Sequence, residues 1–294
     1  MHVRAGVGGA LAALALAAPA LAQAPAPAIG NFGGGFVLAP PKDPLGAGNA
    51  ALGMRATAGG KLRIEATIPG RCGGGTFPAK AKVAADGRFV ARGTSRRRPE
   101  PGLRVETTYR VAGTLTASGV DHGTARATTE VRERGRETVR CQSGTVPFKA
   151  RRPRAELGIG TPGAAPNARY YGITSEKRNG QRRGIVLRVS DGGAILTRAL
   201  YAVTLTCGKL VFPDVLDTPR RGLTIDAQGR VKDRVRGTDR TARTVTRYDE
   251  RFSGTLGSTG AKGTLSITER TSSRKTGKLL ETCRTGSIKW TAAP

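Results

Sequence analysis

The sequence predicts an all-β protein built from two tandem copies of a small antiparallel β-sandwich or β-barrel domain, each with one internal disulfide. Polar and apolar residues alternate with a period of two in several runs, among them RVKDRVRG from Arg230, and this period is typical of strands. Turn pairs such as Asp86-Gly87 separate the runs. The phrase Cys-Gly-three residues-Phe-Pro occurs at Cys72 and again at Cys207, which indicates an internal repeat.

The internal repeat extends well beyond this phrase. AGTL at 112–115 matches SGTL at 253–256, and a Gly-Thr pair follows each of them. The closing segments agree best, because five residues recur at a constant offset of 142: Gly135, Cys141, Gly144, Phe148 and Ala150 correspond to Gly277, Cys283, Gly286, Trp290 and Ala292. We therefore divide the chain into copy one (31–152), a Pro-, Gly- and Ala-rich linker (153–166) and copy two (167–294).

Each copy is expected to contain seven to ten short strands and no helix. Residues 108–115, 200–207 and 230–237 all alternate with period two, so neighbouring side chains are predicted to lie on opposite faces of a strand. In the last of these runs, Val231 and Val235 face one way while the Arg and Lys residues between them face the other. We expect the run Arg96-Arg97-Arg98 to lie in a loop.

The N-terminus predicts export. After His2 and Arg4 comes a short apolar run rich in alanine, and it ends in the small-residue pattern Ala20-Leu21-Ala22. These are the features of a secretory signal peptide over residues 1–22, followed by a short linker at 23–30. No later segment is long and apolar enough to span a bilayer. We expect a secreted, soluble mature chain after cleavage near Ala22.

Export makes the four cysteines informative, because an oxidising compartment favours disulfides. Four cysteines allow three pairings, and the repeat selects the one that keeps each bridge within a copy: Cys72–Cys141 and Cys207–Cys283. In the repeated phrase, the Gly permits a turn, the Phe is expected in the core and the Pro at a sheet edge. The cysteines lack the close pairs of a zinc site, so we expect no metal and no cofactor.

The charge of the chain is strongly positive. It carries 49 Lys plus Arg against 21 Asp plus Glu, a formal net charge of +28. Such a surface attracts polyanions, and for an exported protein these are anionic cell-wall polymers, acidic polysaccharides or lipid headgroups. A specific nucleic-acid partner is not expected. The candidate polyanion-binding residues lie in copy two: Arg230, Lys232, Arg234, Arg236, Arg243, Arg247 and Arg251.

Three alternatives to polyanion binding stay open at this point. The charge is equally consistent with a basic composition that has no binding role, in a structural or protein-interaction module. A small barrel that carries an apolar ligand is a further alternative. The enzyme hypothesis is the least favoured, because His122 is the only histidine after the signal peptide and is expected in an exposed turn. Repeat-related acids such as Glu130 and Glu269 are expected to be cross-strand charge partners.

Copy two carries a set of residues at its beginning, middle and end that resembles a known pattern. The set comprises the following positions: Tyr170, Gly172, Thr174, Ser175, Cys207, Gly229, Arg230, Cys283, Thr285, Gly286, Ile288, Trp290 and Ala292. It resembles an uncharacterised extracellular β-domain common in secreted proteins of GC-rich bacteria. Copy one departs from the pattern, because it lacks the opening residues and has Phe148 in place of Trp. The resemblance implies a β fold and an extracellular compartment, and it implies no activity.

Overall fold

The structure is a computed structural model that describes residues 28–36, 51–68, 75–98, 102–153, 158–178, 181–208, 210–217 and 222–294. Within these ranges the chain is all-β, as predicted, apart from one turn of 3-10 helix at Ala58–Gly60. In the same ranges no helix is long and apolar enough to cross a bilayer. The predicted signal peptide (1–22), most of the first linker and Cys72 lie outside the described residues.

The first sheet forms a barrel-like structure, called here the first barrel. Its eight described strands are β1 (Gly30–Phe36), β2 (Ala51–Thr57), β3 (Lys61–Ile68), β4 (Gly75–Lys82), β5 (Arg88–Arg97), β6 (Leu103–Thr114), β7 (Gly119–Glu133) and β8 (Val139–Arg151). They pair in the order β4-β3-β2-β1-β8-β7-β6-β5, each antiparallel to its neighbours. The edge strands β4 and β5 come together at a seam, where the Tyr109 hydroxyl of β6 donates to the Pro78 carbonyl of β4 at 2.8 Å.

The second sheet forms the second barrel. Its ten described strands are β9 (Arg169–Arg178), β10 (Gln181–Val189), β11 (Ile195–Cys207), β12 (Leu210–Asp217), β13 (Leu223–Thr224), β14 (Arg230–Arg240), β15 (Thr244–Leu256), β16 (Ala261–Ser273), β17 (Leu279–Arg284) and β18 (Ile288–Ala293). The main order is β12-β11-β10-β9-β18-β16-β15-β14, and β17 pairs with both β11 and β16. The sequence predicts either a sandwich of two sheets or a barrel. Each half contains one continuous, barrel-like sheet, so the barrel is the observed architecture.

The predicted disulfide of the second barrel is confirmed. Cys207 and Cys283 are bonded and lie directly opposite each other on β11 and β17, with Cα atoms 4.1 Å apart. Cys207 ends β11, and Gly208 follows with a positive φ of 58°, so the glycine of the repeated phrase makes the turn. Cys141 is disulfide-bonded too, while its predicted partner Cys72 lies outside the described residues.

Repeat-related aromatic residues occupy the two barrel interiors. Phe148 and Trp290 are both fully buried, and each lies over a glycine of the neighbouring strand. A Cβ atom placed on Gly123 would lie 2.3 Å from the Phe148 ring, and one on Gly263 would lie 2.5 Å from the Trp290 ring. The Gly-Thr pair that recurs in the sequence therefore makes room for a large aromatic side chain in each barrel.

The two barrels pack against each other through β1 and β2 on one side and β9 and β10 on the other. Their backbones approach closely, since a Cβ atom on Gly53 would lie 2.1 Å from the Arg182 carbonyl oxygen. A buried ion pair joins Arg183 of the second barrel to Glu65 of the first at 2.9 Å. This packing explains why residues 200–203 are buried on both faces of β11, where alternation predicts one buried face. Ala202 contacts Ala51 across the interface.

Candidate anion-binding surface

Alternation on β14 sorts the side chains as the sequence predicts. Val231 is buried, and Asp233 and Val235 are half-buried on the interior face. The four cations of the run are exposed on the outer face: Arg230, Lys232, Arg234 and Arg236. The hydrophobic residues hold the strand on the barrel, and the cations project outward because successive side chains of a strand point to opposite faces.

The outer face of β14, β15 and β16 is strongly cationic. Cross-strand pairs share a face, so the register of these three strands identifies their outward positions. Those positions hold nine exposed Lys or Arg residues: Arg230, Lys232, Arg234, Arg236, Arg240, Arg247, Arg251, Lys262 and Arg270. A single acid, Asp249, lies among them. The local excess of positive charge is therefore larger than the composition of the chain alone requires.

Asp249 lies at the centre of three of these arginines, and we call this group the Asp249 cluster. Arg234 donates to both carboxylate oxygens of Asp249, at 3.0 and 2.5 Å. Arg236 and Arg251 each place Nε 3.5 Å from the same carboxylate. Hydrogen bonding from Arg234 is the main reason that the pKa of Asp249 lies well below its ordinary range. Three guanidinium groups around one carboxylate leave the cluster with a net charge of +2.

The Asp249 cluster keeps donor groups free for an added anion. A guanidinium group has five N–H donors, and one carboxylate engages only some of those that three groups provide. The side chains of Arg236 and Arg251 remain 64% and 59% exposed, which leaves them open to a ligand from solvent. Arg234 is directly opposite Arg251 on the neighbouring strand, an unfavourable placement of like charges that a bound anion would relieve.

The other predicted cations lie around this cluster in different settings. Arg230 is the first residue of β14 and donates to Asp226 of the preceding turn at 2.7 Å. Arg243 lies in the turn that precedes β15, so it does not share a strand face with Arg247 and Arg251. Arg247 is directly opposite Arg270 of β16. The structure thus brings Arg234, Arg236 and Arg251 together and leaves the remaining candidates at the margin of the group.

Sequence reasoning missed a second set of cations on the first barrel. Arg92, Arg110 and Arg126 lie directly opposite one another on β5, β6 and β7, on the exposed face. Each of these arginines stands at a polar position of an alternating run, so the sequence indicates that it is exposed. The sequence does not indicate the register between the strands, which is what aligns the three arginines. The expectation that Arg96 and Arg97 lie in a loop is wrong, because β5 continues through both and pairs with β6.

The second barrel also has an ionisable group directed inward. Glu250 lies on the interior face of β15 and accepts a hydrogen bond from the fully buried Tyr201 of β11. Burial raises the pKa of Glu250 to about 7. Tyr201, Phe252 and Trp290 stack in sequence beside it, with ring centroids 5.9 and 5.3 Å apart. Three stacked rings occupy the space between β11, β15 and β18.

The acids considered for catalysis have other partners. Asp86 and Asp226 occupy equivalent turns, where each accepts from backbone amides two residues later. Glu130 accepts from Arg132 of its own strand at 2.9 Å, and the expected cross-strand charge partner is Arg140 of β8, 3.8 Å away. His122 is exposed, as expected, but it lies within β7 rather than in a turn.

One group of potential metal ligands occurs in the described part of the chain: Cys207, Cys283 and Glu281. The two sulfur atoms are joined in the disulfide, so they do not offer the thiolates that a zinc site requires.

Comparison with known proteins found no match: no protein-family model, curated protein or solved structure is similar to this chain.

Proposed function

We propose that this chain is an exported, non-catalytic protein that binds anionic polymers of the cell envelope or extracellular space through the cationic outer faces of its barrels. The observation that carries the proposal is the Asp249 cluster. Three arginines converge on one carboxylate, remain exposed and retain a net positive charge. An array of this kind is suited to repeated carboxylate, phosphate or sulfate groups, because guanidinium groups bind them in a bidentate geometry.

The arrangement of the cations supports this proposal over a charge that is merely compositional. A compositional excess would spread over the surface, with each acid pairing one neighbouring base. The outward positions of β14, β15 and β16 instead hold nine cations and one acid, and three of the cations converge on that acid. The stacked rings of Tyr201, Phe252 and Trp290 give no comparable support to the alternative of an apolar ligand inside the second barrel.

Binding across a salt series tests the proposal. The purified chain, without residues 1–22, is titrated against polygalacturonate, a glycerol-phosphate polymer, polyphosphate and anionic lipid vesicles at increasing ionic strength. We expect preferential binding to one polymer, with an affinity that falls as salt rises because exposed charges are screened. The triple variant R234S/R236S/R251S should weaken that binding at least about tenfold at low salt.

A matched variant separates the cluster from net charge. Arg88, Arg132 and Arg136 of the first barrel each pair with one acid, and R88S/R132S/R136S removes the same number of charges. We expect this control to lose less than about threefold in affinity. Equal losses in the two triple variants, or equal retention on every polyanion, would show that the charge acts without a site and would contradict the proposal.

A further inference from the structure

The outer face of the first barrel carries a row of three arginines, called here the arginine ladder. Arg92 of β5 is directly opposite Arg110 of β6, which is directly opposite Arg126 of β7. All three are exposed, and in the described part of the chain none of them forms an ion pair with a carboxylate. Like charges at directly opposed positions of a sheet reduce the stability of the fold. The row therefore does not contribute to folding, and we look for its role in binding.

In a neighbouring row on the same strands, each arginine is paired with an acid. Arg96 is opposite Glu106, Glu106 is opposite Glu130, and Glu130 is opposite Arg140 of β8. Arg96 contacts Glu106 at 3.1 Å, and Arg140 lies 3.8 Å from Glu130. The acids of this balanced row are four residues along the strands from the arginine ladder, about 13 Å away. They neutralise their own row and leave the ladder uncompensated.

The ladder continues toward the seam of the first barrel. A shallow groove there is lined by Lys80, Ala81 and Lys82 of β4 and by Val90 and Arg92 of β5. Lys80 and Lys82 are exposed and add two cations beside the end of the ladder. The cations therefore extend from β4 to β7 in a band that runs across the strands. Adjacent strands are about 4.8 Å apart, and this distance sets the spacing of the arginines.

The shape of this band indicates the kind of polymer that fits it. A ligand that lies across the strands meets one guanidinium group at each strand, a spacing comparable to the length of one sugar in an extended polysaccharide. The phosphates of polyphosphate are closer together than this, and those of nucleic acids are further apart. The outward positions of β5, β6 and β7 carry no Phe, Tyr or Trp on which bases could stack, and the exposed imidazole of His122 is four residues along β7 from Arg126.

The geometry points to the arginine ladder as a binding site for a linear polyuronate, a polysaccharide with a carboxylate on each sugar, lying across β4 to β7. Each guanidinium group would engage one carboxylate, and Lys80 and Lys82 would bind the chain where it crosses the seam. This inference rests on the proposed function and assigns it a substrate class and a second surface, separate from the Asp249 cluster.

The test measures the affinity of the chain for polygalacturonate at low salt, with fully methyl-esterified polygalacturonate as the uncharged control. Three triple variants are compared: R92S/R110S/R126S in the ladder, R96S/R104S/R140S in ion pairs with Glu106 and Glu130, and R234S/R236S/R251S in the Asp249 cluster. Each removes three positive charges. All the substituted side chains lie on outer strand faces, so circular dichroism and thermal melting are expected to match the wild type.

We expect the ladder variant to lose at least about tenfold in affinity and the ion-paired control less than about threefold. The inference is overturned if these two variants lose affinity equally, or if the ladder variant binds like the wild type. In the latter case, a loss confined to the Asp249 cluster variant leaves the proposed function standing, whereas unchanged binding in all three contradicts both. Tighter binding to polyphosphate or DNA than to polygalacturonate overturns the assignment of the ligand.

Discussion

The outer faces of both barrels carry clusters of arginines, and the two barrels place their acids differently around them. The second barrel places Asp249 among Arg234, Arg236 and Arg251, so one carboxylate orients the guanidinium groups and partly neutralises them. The first barrel leaves Arg92, Arg110 and Arg126 in a row and moves its acids to a separate balanced row. Each set contains three arginines, so the two surfaces differ in the position of the neighbouring acids rather than in the number of arginines.

The interiors differ at a position that the repeat aligns. Counting back from Gly113 and Gly254, Tyr109 of the first barrel corresponds to Glu250 of the second. Tyr109 stacks on Phe77 with ring centroids 4.2 Å apart, whereas Glu250 accepts a hydrogen bond from Tyr201. The first barrel therefore fills this position with a phenol ring, and the second holds a carboxyl group there. We expect only the second barrel to respond to pH through this site.

Removing the Cys207–Cys283 bridge should cause the largest loss of stability. The loss should be confined to the second barrel, so it distinguishes the stabilities of the two barrels. The bridge spans 76 residues, and its loss in C207S/C283S is expected to cost the second barrel about 4 kcal/mol, because the unfolded chain regains its freedom. Trp290 is the only tryptophan and reports on this barrel by fluorescence during denaturation. An unchanged denaturation midpoint would contradict a structural role for the bridge.

Breaking the buried ion pair between the barrels should cause the next largest loss of stability. Arg183 is almost fully buried, 2.9 Å from Glu65 and 3.9 Å from Glu176. Arg183→Ala leaves these acids without their cation and should destabilise the protein by about 3 kcal/mol. Chemical denaturation measures the loss, and R183M/E65Q should recover at least half of it. If the double variant is no more stable than Arg183→Ala, the buried ion pair is not the cause.

The interior carboxyl group of the second barrel should make stability depend on pH. Because the folded-state pKa of Glu250 is raised from 4.5 to about 7, its contribution is complete below about pH 4.5 and is lost as the pH rises through 7. After allowance for partial exposure, the decline should be about 2 kcal/mol. Glu250→Gln should remove most of this decline in urea denaturation between pH 5 and 8. Glu176, whose pKa burial also raises, should account for the remainder.

Replacing the central acid of the Asp249 cluster should have the smallest effect on stability and sharpen the comparison of the outer faces. Asp249→Asn removes the carboxylate and gives the second barrel an uncompensated set of arginines, as in the first. We expect little change in the melting temperature, because the ion pairs are exposed. The affinity for polyuronate at low salt should rise about threefold. A loss of affinity would show that the carboxylate is needed to position the arginines.

Much of the architecture was predictable from the sequence because it depends on local pattern. Alternation placed the four cations of β14 on one face, and the repeat identified the Cys207–Cys283 pairing. The arginine ladder was not predictable, because it depends on the register between strands, which no local pattern reveals. Burial of both faces at residues 200–203 depends on contact with the other barrel. A run of charges predicts a loop at Arg96 and Arg97, but β5 continues through both, and Glu106 of β6 accepts a hydrogen bond from Arg96.

The most direct test of polyanion binding removes both arginine sets at once. The six-fold variant R92S/R110S/R126S/R234S/R236S/R251S is compared with a control that loses six arginines, each in an ion pair with a carboxylate of the sheets or turns: Arg88, Arg96, Arg104, Arg132, Arg136 and Arg140. Both have the same net charge. We predict that the first no longer binds polygalacturonate at low salt while the control still does. Equal binding by the two would contradict the claim that these arginines form sites.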